Sequence, residues 1–212
     1  MSDKSNKYGY VGVDIPAQSF GNNKGVFNPA EINDLVANNQ WTSFGQLELI
    51  ETQDVTTVGT VDFLSIDESI YNVHFLTGTL NDASGGYGLY YNLYESGVLE
   101  TASVYGIAQQ RGRSNGTFDE VRSSAVGTPW IINSSNTNQS VCFYIYFYNL
   151  GDSTKYSFST SHSSFLYAGT NDETFMFGSG VLSQASTVDG IRIKTNANTF
   201  TGTLSLYGIR YS

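Results

Sequence analysis

From Gln40 onward the chain alternates apolar and polar residues in short runs broken by turn residues at roughly every tenth position, the pattern of a β-sandwich or barrel. Such runs lie near 46–52, 59–65, 70–77, 87–95, 98–109, 129–132, 141–149, 155–160, 163–168, 174–178, 188–194 and 202–211, and some are close enough to merge. The breaks have turn chemistry: Ser84-Gly85-Gly86, Glu95-Ser96-Gly97, Asn149-Leu150-Gly151-Asp152, Gly178-Ser179-Gly180 and Asp189-Gly190. Separations this short favour antiparallel hairpins over helical crossovers. The strongest run is 141–148, where alternation puts Val141, Phe143, Ile145 and Phe147 on one face and Cys142, Tyr144, Tyr146 and Tyr148 on the other. Both faces call for a partner. The tyrosine face is covered either within the subunit or by another subunit, since Tyr offers large contact area with a polar tip.

One helix is expected. In Phe27-Asn28-Pro29-Ala30-Glu31-Ile32, Asn28 suits the cap, Pro29 the first helical position and Glu31 the reach back to the cap, and the helix should end near Asn38-Asn39. Residues 1–26 read as an extended arm whose Tyr8, Tyr10, Val13, Ile15 and Phe20 sit among glycines and asparagines. That is too little apolar surface for a core but enough for docking on a neighbour. The expected organisation is therefore an arm over 1–26 and one domain over 27–212, an all-β, antiparallel, jelly-roll-like sandwich with a short leading helix.

Composition narrows the function. Charged residues make up only 14% of the 212, and the ten basic against nineteen acidic residues leave a net charge of −9, which repels phosphate. Nucleic acid is thus not an expected partner. Arg111 and Arg113 form a short basic cluster that reads as a solvated turn. Cys142 is the only cysteine, so no internal disulfide forms, and its apolar run suggests a small buried hydrophobe. No window has the length and apolarity of a membrane span, and the start lacks a leader-like apolar stretch, so synthesis in a cytoplasm without membrane insertion is expected.

No phosphate loop, dinucleotide fingerprint, metalloprotease helix or paired-cysteine motif occurs, so no catalytic residue, cofactor or metal ligand is assigned. His74, on the face opposite Tyr71, Val73 and Phe75, reads as a hydrogen-bonded structural residue, and His162 as part of a serine-rich turn. A glycosidase would need two carboxylates across a sugar, and Glu48, Glu51, Glu95 and Glu100 lie on or beside strands with no spacing that pairs them. Asp67-Glu68 and Asn171-Asp172-Glu173 have oxygen ligands that suit calcium but read better as solvated turns. Four aromatics, Trp41, Tyr87, Tyr90 and Trp130, are candidate platforms for a glycan, although Trp130, between Pro129 and Ile131-Ile132, also suits the core.

Several phrases carry a resemblance. They are Gln18–Phe27, Trp41–Gln53, Tyr71–Leu76, Tyr148–Phe158 and Gly202–Ile209, and together they span most of the chain. The sequence resembles small virion structural proteins, of the capsid-decoration or tail-fibre type, of marine tailed phages, especially those infecting cyanobacteria. The resemblance implies a non-catalytic β-sandwich at the virion surface, in contact with other virion proteins. The residues themselves suggest a homo-oligomer with Tyr144, Tyr146 and Tyr148 at a subunit interface, and the resemblance makes the arm residues particle anchors. Recognition of a host glycan by a receptor-binding, lectin-like module is the alternative.

Overall fold

The computed structural model describes residues 29–38, 47–82, 88–133, 135 and 139–210. The chain divides into two compact units, residues 1–43 and 44–212. In the first, α1 spans Pro29–Ala37. Pro29 opens it without losing a hydrogen bond, because the first helical N–H has no partner in any case. Asn38 closes it, its amide side chain donating to the Asp34 carbonyl at 2.7 Å. The proposed Asn28 cap and the arm residues Tyr8, Tyr10, Val13, Ile15 and Phe20 lie outside the described residues.

The second unit is an antiparallel β-sandwich. Its larger, eight-stranded sheet contains β1 (Glu48–Val58), β3 (Val73–Asp82), β6 (Tyr105–Arg113), β7 (Phe118–Val126), β9 (Ser140–Tyr148), β10 (Tyr156–Leu166), β11 (Glu173–Ala185) and β13 (Phe200–Ile209). Their order across the sheet is β1-β13-β3-β9-β10-β11-β6-β7. The smaller sheet runs β2 (Thr60–Phe63), β12 (Val188–Thr195), β4 (Leu89–Glu95) and β5 (Val98–Leu99), with β8 (Trp130–Ile132) also paired to β4. The chain passes repeatedly between the sheets, so neighbours in space are often distant in sequence: β1 pairs with β13 and β2 with β12.

The core lies between the two sheets. Leu76, Leu80, Val141, Ile145, Phe147, Leu204 and Leu206 from the larger sheet meet Phe63, Leu89, Leu93, Ile131, Ile191 and Ile193 from the smaller, all buried. Each such side chain contributes about 1.5–3 kcal/mol when fully removed from water. Polar ties cross between the layers. The Tyr91 hydroxyl and Ser159 Oγ are 2.7 Å apart, Ser163 Oγ donates to the Ile131 carbonyl at 2.9 Å, and the Gln109 amide donates to the Trp130 carbonyl at 2.7 Å. The Tyr105 hydroxyl accepts the Leu93 N–H, and burial pushes this phenol up to about 12.

Several expectations are corrected. The 98–109 run is interrupted, because only 98–99 and 105–113 are strands. His162 lies within β10, into which the 155–160 and 163–168 runs merge as allowed for, rather than in a turn. Gly178-Ser179-Gly180 is interior to β11, where it pairs with Gln109, Ala108 and Ile107 on one side and with Ser161, Thr160 and Ser159 on the other. β7 has no counterpart among the expected strands. Cys142 is exposed, not buried.

Arg111 is likewise no solvated turn residue: it is 7% exposed on the inner face of β6. It donates through Nε and Nη2 to Asp119 Oδ2 at 3.2 and 2.6 Å, and Arg113 Nη2 reaches the same oxygen at 2.8 Å. Both guanidinium groups lie against the Tyr167 ring, at 4.9 and 4.0 Å from its centroid. The pair therefore joins the β6–β7 hairpin to the end of β10 through charge and π contact.

Candidate contact surface

Alternation on β9 decides where its tyrosines point. Val141, Phe143, Ile145 and Phe147 are buried in the core, so Cys142, Tyr144, Tyr146 and Tyr148 take the outer face of the larger sheet. Register then brings further aromatics alongside them. Phe75 of β3 pairs with Tyr146, Tyr207 of β13 pairs with Phe75, Phe158 of β10 pairs with Tyr148, and His162 pairs with Tyr144. Beyond β10, Phe177 pairs with His162, Phe175 with Ser164, and Phe118 lies opposite Gly112, the partner of Phe175.

The rings touch one another. Phe75 and Tyr146 have centroids 4.5 Å apart, Tyr144 meets His162 edge-on at 5.6 Å, and Phe175 stacks on Phe177 at 6.0 Å. Tyr144 remains 41% exposed, Phe177 45% and Phe118 72%. The three tyrosines proposed for a subunit interface thus share one outward face with a much larger aromatic band. Sequence reasoning missed Phe75, Phe158, Phe175, Phe177 and Tyr207, since their common face follows from strand pairing across distant segments.

The band is not flat. Thr160, Ser179 and Ala108 stand in register on adjacent strands β10, β11 and β6, and this row of small side chains begins beside Tyr146. Bulkier rows flank it: His162 and Phe177 on one side, Phe158 and Val181 on the other. An open trough of about 700 Å³ results, lined by Tyr144, Tyr146, Tyr148, His162 and Phe177 over a floor of Thr160, Ser161, Gly178, Ser179 and Ala108. The Tyr148 hydroxyl and Thr160 Oγ1 are 3.3 Å apart at that floor. No lining residue is Asp, Glu, Lys or Arg.

The glycan candidates fall elsewhere. Tyr90 and Trp130 belong to the smaller sheet and meet edge-on at 6.3 Å, with Trp130 also packed against the core. Trp41 and Tyr87 lie outside the described residues. His74 is buried, its Nε2 2.7 Å from the Ile66 carbonyl, and burial lowers its affinity for a proton.

The carboxylates considered for hydrolysis are held by structural partners. Glu48 Oε2 accepts from the Tyr71 hydroxyl at 2.9 Å and from Arg210 at 3.1 Å, and Glu51 accepts from Gln53 at 2.9 Å. Glu95 accepts from Ser186, while Glu100 accepts from the Ala102 N–H at 2.6 Å and from Gln184 at 3.1 Å. Partial burial, with Glu100 close by, raises Glu95 above the usual carboxylate range. In the loops considered for calcium, Asp172 Oδ2 accepts from Asn115 at 2.8 Å and Thr170 at 2.7 Å, and Asp67 takes a left-handed backbone with φ 53°. Among the described residues no three His, Cys, Asp or Glu side chains gather as a metal site requires.

Comparison with protein-family models, with curated proteins and with solved structures finds no match to this chain.

Proposed function

We propose that this chain is a non-catalytic structural component of a tailed-phage particle, displayed at its surface and acting by contact rather than by chemistry. The observation that carries the contact role is the outer face of the larger sheet. A monomer rarely exposes so extensive an apolar band, and such bands mark sites of association. Here the band combines aromatic rings with polar tips and almost no charge, the composition found at the centre of interfaces. The particle assignment rests on the phrases resembling virion proteins, of which Trp41–Gln53 leads into β1, Tyr71–Leu76 leads into β3 and Gly202–Ile209 forms most of β13. In this reading residues 1–26 supply the attachment to the capsid or fibre, and many copies on one particle strengthen modest single contacts through avidity.

The deciding experiment is direct. Purified particles are probed by mass spectrometry and by gold-labelled antibody against this chain. Stoichiometric presence at a defined surface position is expected, and recovery of the chain only from the soluble lysate would overturn the particle role.

A further inference from the structure

We infer that the trough on the outer sheet face is a binding site for a neutral oligosaccharide, which deepens the reading of this face as the molecule's working surface. The trough floor is the in-register row Thr160, Ser179 and Ala108, and its ends and walls include Tyr146, His162 and Phe177. Hydroxyl groups both donate and accept, and an imidazole adds a further polar contact. Ring faces supply apolar area fixed by few rotatable bonds. A ligand matching this surface has apolar C–H faces and many hydroxyls on one rigid body, which is the chemistry of a sugar ring.

Length and charge narrow the class. From β9 to β6 the trough spans three interstrand steps of about 4.8 Å each, so it accommodates a short run of rings rather than one. No Asp, Glu, Lys or Arg lines the trough. A sulfated or sialylated chain would find no Lys or Arg in the lining to pair with its anion, and the net charge of −9 adds long-range repulsion.

Two other occupants fit less well. A peptide cannot add as a strand here, because β10 and β11 are paired on both sides and present no free backbone edge. A second copy related by a two-fold axis through the trough itself would set one trough against the other. The small-residue floors would then face each other across a gap, with their hydroxyls unfilled by protein.

The test uses the full chain on an immobilised panel of neutral oligosaccharides of glucose, mannose, galactose and N-acetylglucosamine, with sulfated and sialylated members as charged controls. Saturable binding to at least one neutral series is expected, without preference for the charged members. Ser179 is exposed, so Ser179→Arg fills the trough floor without touching the core; together with Tyr146→Ala it should weaken that binding at least about tenfold. Val98→Ser, exposed on β5 of the smaller sheet, should leave it unchanged. Absence of binding to every neutral series overturns the inference, as does binding that survives Ser179→Arg. Light scattering on the same proteins separates the remaining case: a dimer dissociated by Ser179→Arg, with no sugar bound, assigns the trough to a second copy and leaves the contact role standing. Failure of the particle role itself is read separately, from the absence of the chain in purified particles.

Discussion

His74 sits wholly inside the core with one ring nitrogen 2.7 Å from the Ile66 carbonyl and the other, Nδ1, buried without a partner among the described residues. A charged imidazolium there loses its hydration, and this outweighs the Ile66 carbonyl and the nearby Glu68 and Asp67 charges, so the folded pKa lies below the ordinary 6.5. The sign follows from linkage. Above about pH 6.5 the ring is neutral in both states and its full contribution is present; as pH falls below that value the unfolded chain takes up a proton that the native state refuses. Stability should therefore decline between pH 6.5 and the lowered native value, by at most about 1.4 kcal/mol per pH unit. Urea midpoints at pH 7 and pH 5 measure this, and His74→Gln should flatten the difference. A second residue-scale prediction concerns the contact of Gly78 with Phe143. A Cβ at Gly78 would clash with the edge of the Phe143 ring, which is itself 5% exposed and packed in the core. Gly78→Ala should cost about 1–3 kcal/mol through overpacking, and Phe143→Ala about 3–5 kcal/mol through the void it leaves. Because the two side chains compete for one space, the double mutant should be more stable than the sum of the single losses predicts, which chemical denaturation of the four proteins resolves.

At the scale of elements, the strands that the sequence made legible are those whose inner face is apolar throughout. β9 alternates without exception over 141–148, and β4 and β12 follow Leu89-Tyr91-Leu93 and Ile191-Ile193. β10 breaks that rule for a physical reason. Its inner positions Ser157, Ser159 and Ser163 are buried, with Ser159 beside the Tyr91 hydroxyl and Ser163 bonded to the Ile131 carbonyl, so it carries hydroxyls where a pattern search expects aliphatic groups. Gly180 in β11 is also interior, because a side chain there would meet the Tyr91 hydroxyl and Ser159. β7 is an edge strand whose Asp119, Glu120 and Arg122 fit the charged edges that discourage strand addition. The trough is built from Thr160, Ser161, His162, Gly178 and Ser179, and it stayed hidden because much of that material has turn-like composition in sequence. The opposite edge, β1, protects itself through irregularity, with register breaks between Leu49 and Glu51 and between Val55 and Val58. Within the second break Thr57 adopts φ 56° and its N–H donates to Thr201 Oγ1 at 3.0 Å. A β-branched residue in that conformation costs about 1–2 kcal/mol. Thr57 is exposed, so little packing is lost on replacing it. Thr57→Asn, which tolerates the left-handed region, should raise the stability measured by denaturation by about 1 kcal/mol.

For the whole molecule, the question is which residues the sandwich needs in order to fold. The core cluster runs from Val61 to Leu206 among the described residues, and its polar ties, Tyr91 with Ser159 and Gln109 with the Trp130 carbonyl, also lie within the second unit. In α1 no residue is buried, and Val36 is 56% exposed. A fragment of residues 44–212 keeps every strand of both sheets and every member of that cluster. Removing residues 1–43 should therefore change stability by no more than about 1 kcal/mol, equivalent to roughly 2–4 °C in a domain of this size. Circular dichroism and calorimetry of the fragment beside the full chain provide the comparison. A fall of 10 °C or a loss of cooperativity would mean that residues before 44 form part of the folded domain, and the arm assigned to 1–26 would then be structural. If the fragment instead melts with the full chain, its incorporation into particles isolates the second role. Loss of incorporation on deleting residues 1–26 alone, with melting unchanged, assigns attachment to that segment, whereas normal incorporation of the truncated chain assigns attachment to the sandwich and its aromatic face.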